Sequence, residues 1–78
     1  MPRFHLHLQD GERLCDEHGM VFDGLDAARE EAVRAARDMM CDQVRRGYLS
    51  LRDRIEITDE AGRELLTLRF REAVRLEE

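Results

Sequence analysis

The longest hydrophobic pattern in the chain has the period of an α-helix and runs from Leu25 to Arg46 (LDAAREEAVRAARDMMCDQVRR). At about 100° per residue, the apolar side chains fall within an arc of about 180°, and charged side chains occupy the opposite side. The apolar positions are Leu25, Ala28, Ala32, Val33, Ala35, Ala36, Met39, Met40 and Val44. Asp23 or Gly24 can cap the start, and Gly47 is a natural stop. The pattern predicts one long amphipathic helix whose apolar stripe must be buried.

Alternation with a period of two, which is typical of half-buried strands, flanks this helix on both sides. Before the helix, residues 2–9 (PRFHLHLQ) alternate, and residues 12–15 return as a shorter strand after Asp10-Gly11. After it, residues 54–58 (RIEIT) and 64–70 (ELLTLRF) alternate on either side of a turn at 59–62, while residues 20–22 are a short apolar link. The chain therefore predicts a single α+β domain over residues 1–78. Its order is strand-strand-helix-strand-strand, with a four-stranded, mainly antiparallel sheet and the helix packed on one face.

Two details of the sheet stay open at this point. A two-residue loop at Asp10-Gly11 would place Leu6 opposite Cys15 on the core face and His7 opposite Leu14. A three-residue loop would place Leu8 opposite Leu14 in the core and His7 opposite Cys15 on the far face. The first and fourth strands are the longest and most apolar, which favours them for the middle of the sheet. Adjacency of the second and third strands is the alternative.

One helix covers only one face of a sheet, so the other face must be solvated or covered by another chain. The residues expected on that outer face are His5, His7, Glu56, Thr58, Leu65, Thr67 and Arg69. The helix, at about 33 Å, is also longer than typical strands of about 17–20 Å, so Met39, Met40, Val44 and Tyr48 could reach a second subunit. We expect a homodimer through the open sheet face or the C-terminal half of the helix, together with a protein partner whose identity the sequence does not give.

Composition and charge narrow the class of protein. With 42% hydrophobic and 40% charged residues the composition is typical of a folded soluble domain, and the hydropathy pattern predicts neither a membrane span nor a signal peptide. We expect a cytoplasmic protein with no membrane partner. The net charge of −5, with arginines interleaved among acidic residues, argues against a nucleic-acid partner. Cys15 and Cys41 are predicted to be free thiols.

The one candidate site is the pair His5 and His7, which lie on the same face of the predicted strand with their Cα atoms about 7 Å apart. The two imidazoles could ligate one Zn²⁺ or another transition metal. A metal needs further ligands, which Cys15, Glu56 or a second subunit could supply. Two exposed histidines on an amphipathic strand are also common without any metal. His18, in a turn, is predicted to be solvated.

Catalytic groupings are not visible in the sequence. The five glycines punctuate turns and helix ends rather than form a phosphate loop, and Ser50 has no patterned histidine and acid partners. We therefore predict a small non-enzymatic protein without a catalytic or cofactor-binding site. Its alternative function is metal binding through His5 and His7.

Four segments together resemble a family of short, mostly stand-alone proteobacterial proteins known as a domain of unknown function. They are the opening PRFHLHLQDG, the turn DEHG, the helix start LDAAREEA and the ending DEAGRELLTLRFREAV. Where such proteins typically have a Pro-Asp or similar acidic start to the helix, this chain has Asp23-Gly24. The resemblance implies the same fold and a bacterial, cytoplasmic origin, brings no activity with it, and draws attention to His5 or His7 in the first strand.

Overall fold

In the computed structural model, which describes residues 2–78, one sheet of five strands carries one α-helix on one of its faces. The elements are β1 (Arg3–Gln9), β2 (Arg13–Leu14), β3 (Met20–Val21), α1 (Leu25–Arg45), β4 (Arg54–Thr58) and β5 (Glu64–Arg69), followed by a 3₁₀ turn at Phe70–Glu72. The predicted α+β class and the helix on one face are confirmed. The predicted apolar link at residues 20–22 supplies β3, because β2 pairs only with Leu8 and Gln9 and leaves the start of β1 open for Met20 and Val21.

The order of the strands is β2-β1-β4-β5, with β3 pairing along the same edge of β1 as β2, and all pairs are antiparallel. The predicted central position of residues 64–70 is therefore wrong, and so is the alternative adjacency of the second and third strands. β4 is central because its two edges pair with β1 and with β5, and three of its residues, Ile55, Ile57 and Thr58, are buried there. β5 lies at the edge and begins with the exposed Glu64 and Leu65.

The first hairpin has the three-residue loop, since Leu8 lies opposite Leu14 and Gln9 opposite Arg13. Gly11, within the loop, has a φ of 95°, which a glycine adopts without strain. Leu14 is nevertheless exposed, because β2 stops there and nothing covers its side chain. Between β4 and β5 the register shifts at Ile57/Thr58, which places Leu65 at an irregular position of the edge strand.

The core forms where small residues of α1 meet large residues of the sheet. Ala28, Ala32 and Ala36 follow one another at i, i+4 spacing and are fully buried, so the helix backbone lies close to the sheet. The large side chains come from the sheet and from the 3₁₀ turn after it, where Ile57 and Phe70, respectively, are fully buried. Against expectation, Leu25 and Val44 at the two ends of the predicted stripe are exposed, while Met40 is buried and does not belong to a free helix end.

The C-terminal end of α1 is joined to the start of β4 by a buried polar network. The Gln43 side chain donates to Asp53 Oδ2 (2.9 Å) and accepts from the Ser50 amide (3.0 Å), and the Ser50 hydroxyl donates to Asp53 Oδ1 (2.7 Å). Gly47, with a φ of 92°, reverses the chain, and the Tyr48 amide donates to Gln43 O, as in a Schellman motif. This network holds Asp53 in place and so fixes the positions of its two neighbours in the sequence, Arg52 and Arg54.

Candidate functional site: the outer face of the sheet

The face of the sheet turned away from α1 is polar, and its side chains are ordered by the strand register. His5 lies opposite Thr58, His7 opposite Glu56, and Glu56 opposite Thr67. These residues share one face because residues directly opposite each other in an antiparallel pair point to the same side. The structure thus brings together the residues predicted for the outer face, with Leu65 displaced by the irregularity in β5.

One end of the outer face carries four arginines, which we call the arginine cluster: Arg52, Arg54, Arg69 and Arg71. Together with Leu51 they line a depression of about 250 Å³. Arg54 and Arg69 are directly opposite each other on β4 and β5, an arrangement of like charges that destabilises a sheet. Within residues 2–78, only Arg54 of these four forms an ion pair, at 3.3 Å to Glu56. Glu56 also pairs with Arg13, and the Arg13 hydrogen bond lowers the pKa of Glu56.

The other end of the outer face is acidic. The acidic rim consists of Asp16, Glu17, Asp59 and Glu60, which border a depression of about 350 Å³ whose floor includes His5, His7, Cys15 and Thr58. Asp59 and Glu60 form exposed ion pairs with Arg63 (3.2 Å) and Arg3 (3.4 Å). Glu17 is exposed and has no ion pair among the residues that the structure describes.

Asp16 holds the loop between β2 and β3 over the edge of β1. Its carboxylate accepts the amide hydrogens of Leu6 (3.1 Å) and Gly19 (3.0 Å), so it takes the place of a missing strand partner in the gap between β2 and β3. Burial opposes ionisation of this carboxyl, but the amides of Gly19 and Leu6, with the nearby His5, outweigh it and lower the pKa of Asp16. The loop is thus fixed by a charge-assisted contact.

The backbone of Asp16 also hydrogen-bonds to both histidines and determines the protonation state of His7. The Asp16 amide donates to His7 Nδ1 (3.0 Å), and the Asp16 carbonyl accepts from His5 Nδ1 (2.8 Å). A ring nitrogen that accepts is unprotonated, so His7 is neutral with its proton on Nε2, from which it donates to Thr58 Oγ1 (3.0 Å). Burial, followed by Arg13 and His5, lowers the pKa of His7 in agreement with this geometry. The two rings stack with their centroids 6.1 Å apart.

The predicted metal site at His5 and His7 stays a prediction. Cys15 lines the same depression as both histidines. Both nitrogens of His7, however, already have partners, and no cluster of three or more histidine, cysteine or acidic residues able to hold a metal occurs within residues 2–78. Cys15 and Cys41 are free thiols, as predicted, and both are exposed.

Sequence reasoning missed both Asp16 and the arginine cluster. Asp16 was visible only as the first residue of a turn, and its role depends on the gap between β2 and β3. The arginines are interleaved with acidic residues along the chain. The antiparallel pairing of β4 with β5 nevertheless brings basic residues together, since it places Arg54 opposite Arg69. The signal was the similar spacing in Arg52-Asp53-Arg54 and Arg69-Phe70-Arg71, which becomes meaningful once the strands are known to be neighbours.

Comparison with known proteins gives a match to a protein-family model. The model of a family described as a domain of unknown function (DUF6894) matches residues 3–71, which include all five strands and α1. No curated protein and no solved structure gives a significant match to the chain. Within residues 2–78, α1 is too polar to cross a membrane, and no other helix is long enough.

Proposed function

The chain belongs to this family of domains of unknown function, and we propose that it is a non-enzymatic interaction module that self-associates through its outer sheet face. The family brings no known activity with it. The observation that supports this proposal is the opposite charge at the two ends of that face. The occupant we assign to the face is a second copy of the chain. A bacterial, cytoplasmic setting is part of the same proposal.

The arrangement of charge suits a two-fold symmetric pair. Arg54 and Thr58 mark the two ends of β4, about 13 Å apart at the usual rise per residue, so the arginine cluster and the acidic rim are separated along the strands. When two such faces stack with their strands running in opposite directions, the arginine cluster of each copy lies over the acidic rim of the other. An isologous contact of this kind satisfies both charged ends at once and closes as a dimer.

The energetic cost of forming this contact is low. Asp59 and Glu60 would exchange their intrachain partners, Arg63 and Arg3, for arginines of the second copy, and exposed ion pairs contribute only about 0–1 kcal/mol each. Glu17, Arg69 and Arg71 have no ion pair to give up among the described residues. The gain is equally modest per pair, so we expect a salt-sensitive dimer with a Kd in the micromolar range rather than an obligate one.

Sedimentation velocity of the full chain at several protein and salt concentrations tests this proposal. We expect a monomer–dimer equilibrium at low salt that shifts to monomer as salt screens the charged ends. A monomer at every protein concentration in low salt would remove the proposal. So would a dimer that is indifferent to salt.

The helix end is the other surface considered for the dimer, since Val44 and Tyr48 are exposed there. The double variant Val44→Asp/Tyr48→Asp removes this apolar surface without touching the outer face. We expect its dimerisation to equal that of the wild type. Loss of the dimer in this variant would move the interface to the helix end.

Metal binding by His5 and His7 is the second candidate function, supported by the position of both rings and Cys15 around one depression. Binding there would require His7 to release either the Asp16 amide or Thr58. Calorimetric titration of untagged protein with Zn²⁺ tests it, with His18→Ala as the control because His18 is exposed in the adjacent turn. This candidate requires micromolar affinity that His5→Ala removes and His18→Ala leaves intact. Absence of binding, or equal effects of the two variants, contradicts it.

A further inference from the structure

The arginine cluster is formed by two three-residue segments, each with an arginine on either side of one central residue. Arg52 and Arg54 flank Asp53, and Arg69 and Arg71 flank Phe70. Both central residues are buried, and the Phe70 amide donates to Asp53 O (2.8 Å), which holds the two segments side by side. The four flanking arginines therefore lie next to each other and line one depression of about 250 Å³.

Three carboxylates close in sequence to these arginines, those of Asp53, Glu56 and Glu72, are already engaged. Asp53 points inward, where Gln43 and Ser50 donate to its two oxygens. Glu72 accepts the Arg69 amide (2.9 Å), and Glu56 is shared between Arg13 and Arg54. None of the residues lining the depression is acidic. In residues 2–78, Arg52, Arg69 and Arg71 consequently have no ion pair, although the chain as a whole carries a net charge of −5.

From this geometry we infer that the arginine cluster is a binding site for a small anion with a diphosphate or similarly multivalent phosphate group. Guanidinium groups bind phosphate oxygens through paired, planar hydrogen bonds, and four of them surround this depression. An anion placed there relieves the repulsion between Arg54 and Arg69. The volume of the depression is below the range of about 300–1,000 Å³ typical of pockets for drug-sized ligands, which favours a compact anion.

The site is complete in one copy of the chain, so anion binding does not require a dimer. Its regulatory consequence does rest on the proposed function, because the same arginines face the second copy there. A bound anion neutralises the basic half of the contact. In a dimerising protein, it therefore shifts the equilibrium toward monomer.

Calorimetric titration of the full chain with inorganic pyrophosphate tests the site. We expect saturable binding to one site, weakened at least tenfold in Arg69→Gln/Arg71→Gln and changed less than twofold in Arg34→Gln/Arg45→Gln. The second pair is the matched control, since it removes the same charge from the exposed side of α1. Absence of saturable binding overturns the inference, as does an equal loss in both double variants, which would indicate diffuse charge.

Three further arms separate the possible sources of phosphate and the two proposals. Vesicles of anionic phospholipid and single-stranded oligothymidylate are titrated beside pyrophosphate, and tighter binding of either one overturns the assignment to a small anion. The variant Glu17→Arg/Glu60→Arg disrupts only the acidic rim, so it keeps pyrophosphate binding. If pyrophosphate binds and the wild type never dimerises, the anion site stands and the proposed self-association fails.

Discussion

Replacement of Asp16 by alanine removes the carboxylate that closes the edge of β1. Two amide hydrogens, those of Leu6 and Gly19, then lose their acceptor. The loop that carries Glu17 also loses the contact that fixes it over the outer face. The perturbation is local, because both histidines hydrogen-bond to the backbone of Asp16 and not to its side chain.

The size of the effect follows from these two bonds. Hydrogen bonds to a charged acceptor contribute about 1.5–3 kcal/mol each when buried, but Asp16 is only half-buried and water replaces part of the loss. We therefore take about 1 kcal/mol for each bond, or about 2 kcal/mol in total. For a domain of 78 residues this is a large share of a free energy of unfolding of about 4–12 kcal/mol, and it lowers Tm by about 8–16 °C.

Urea unfolding followed by far-ultraviolet circular dichroism measures this loss, in salt high enough to screen self-association. Asp16→Asn, which keeps one acceptor oxygen, should lose about half as much. Glu17→Ala is the control and should stay within about 0.5 kcal/mol of the wild type, because Glu17 is exposed. If Asp16→Ala is as stable as Glu17→Ala, the carboxylate does not hold the edge and the reasoning is wrong.

The same carboxylate has a signature in the pH dependence of stability. Its pKa is lower in the folded chain than in the unfolded chain, so its contribution is complete above the unfolded value of about 3.9 and is lost as the pH falls through the folded value. Asp16→Ala should remove this part of the acid sensitivity. An unchanged acid profile in the variant would assign the sensitivity to other carboxylates.

Three other substitutions probe the protonation of His7, the turn at Gly19 and the polar network of Gln43. His7 has a lowered pKa in the folded state, so the unfolded state binds more protons below about pH 6.5, and stability should fall there; His7→Gln should flatten this slope in a pH series of urea unfolding curves. Gly19→Ala should cost more than Gly62→Ala in the same assay, since both glycines have positive φ but a Cβ at Gly19 would lie 2.8 Å from Phe4 O, whereas the space at Gly62 is open; equal losses contradict this. Gln43→Ala leaves buried Asp53 without one of its two side-chain donors and should lower the free energy of unfolding by about 1–3 kcal/mol, and a loss under 0.5 kcal/mol would show that the network contributes little.

Periodicity alone was sufficient to predict the class of the fold. The helix, the two hairpins and the face that α1 covers follow from apolar spacing, because burial of a stripe and burial of a strand face leave different periods in a sequence. The order of the strands does not follow, since the sequence of β4 shows its apolar side but not that both of its edges are paired. Nor does β3, whose two residues are too few to form a pattern.

The candidate site could not be predicted from the sequence, because the order of the strands decides which charged residues become neighbours on the outer face. The separation of charge on the outer face arises from the pairing of Arg54 with Arg69 and from the position of the Asp16 loop at the opposite end. Each charged residue looked like part of a solvated, interleaved surface in the sequence. Only the fold sorts them into a basic end and an acidic end.

The most direct test of the central claim is a charge exchange between two variants. Arg69→Glu/Arg71→Glu reverses two of the four charges in the arginine cluster, and Glu17→Arg/Glu60→Arg reverses two of the four charges in the acidic rim. Each variant alone should sediment as a monomer at low salt, because the substituted end then has no net charge and its new side chains face side chains of the same sign in the second copy. An equimolar mixture should form a heterodimer, since both contacts are complementary again. A mixture that stays monomeric, or either variant dimerising alone as well as the wild type, would contradict the account.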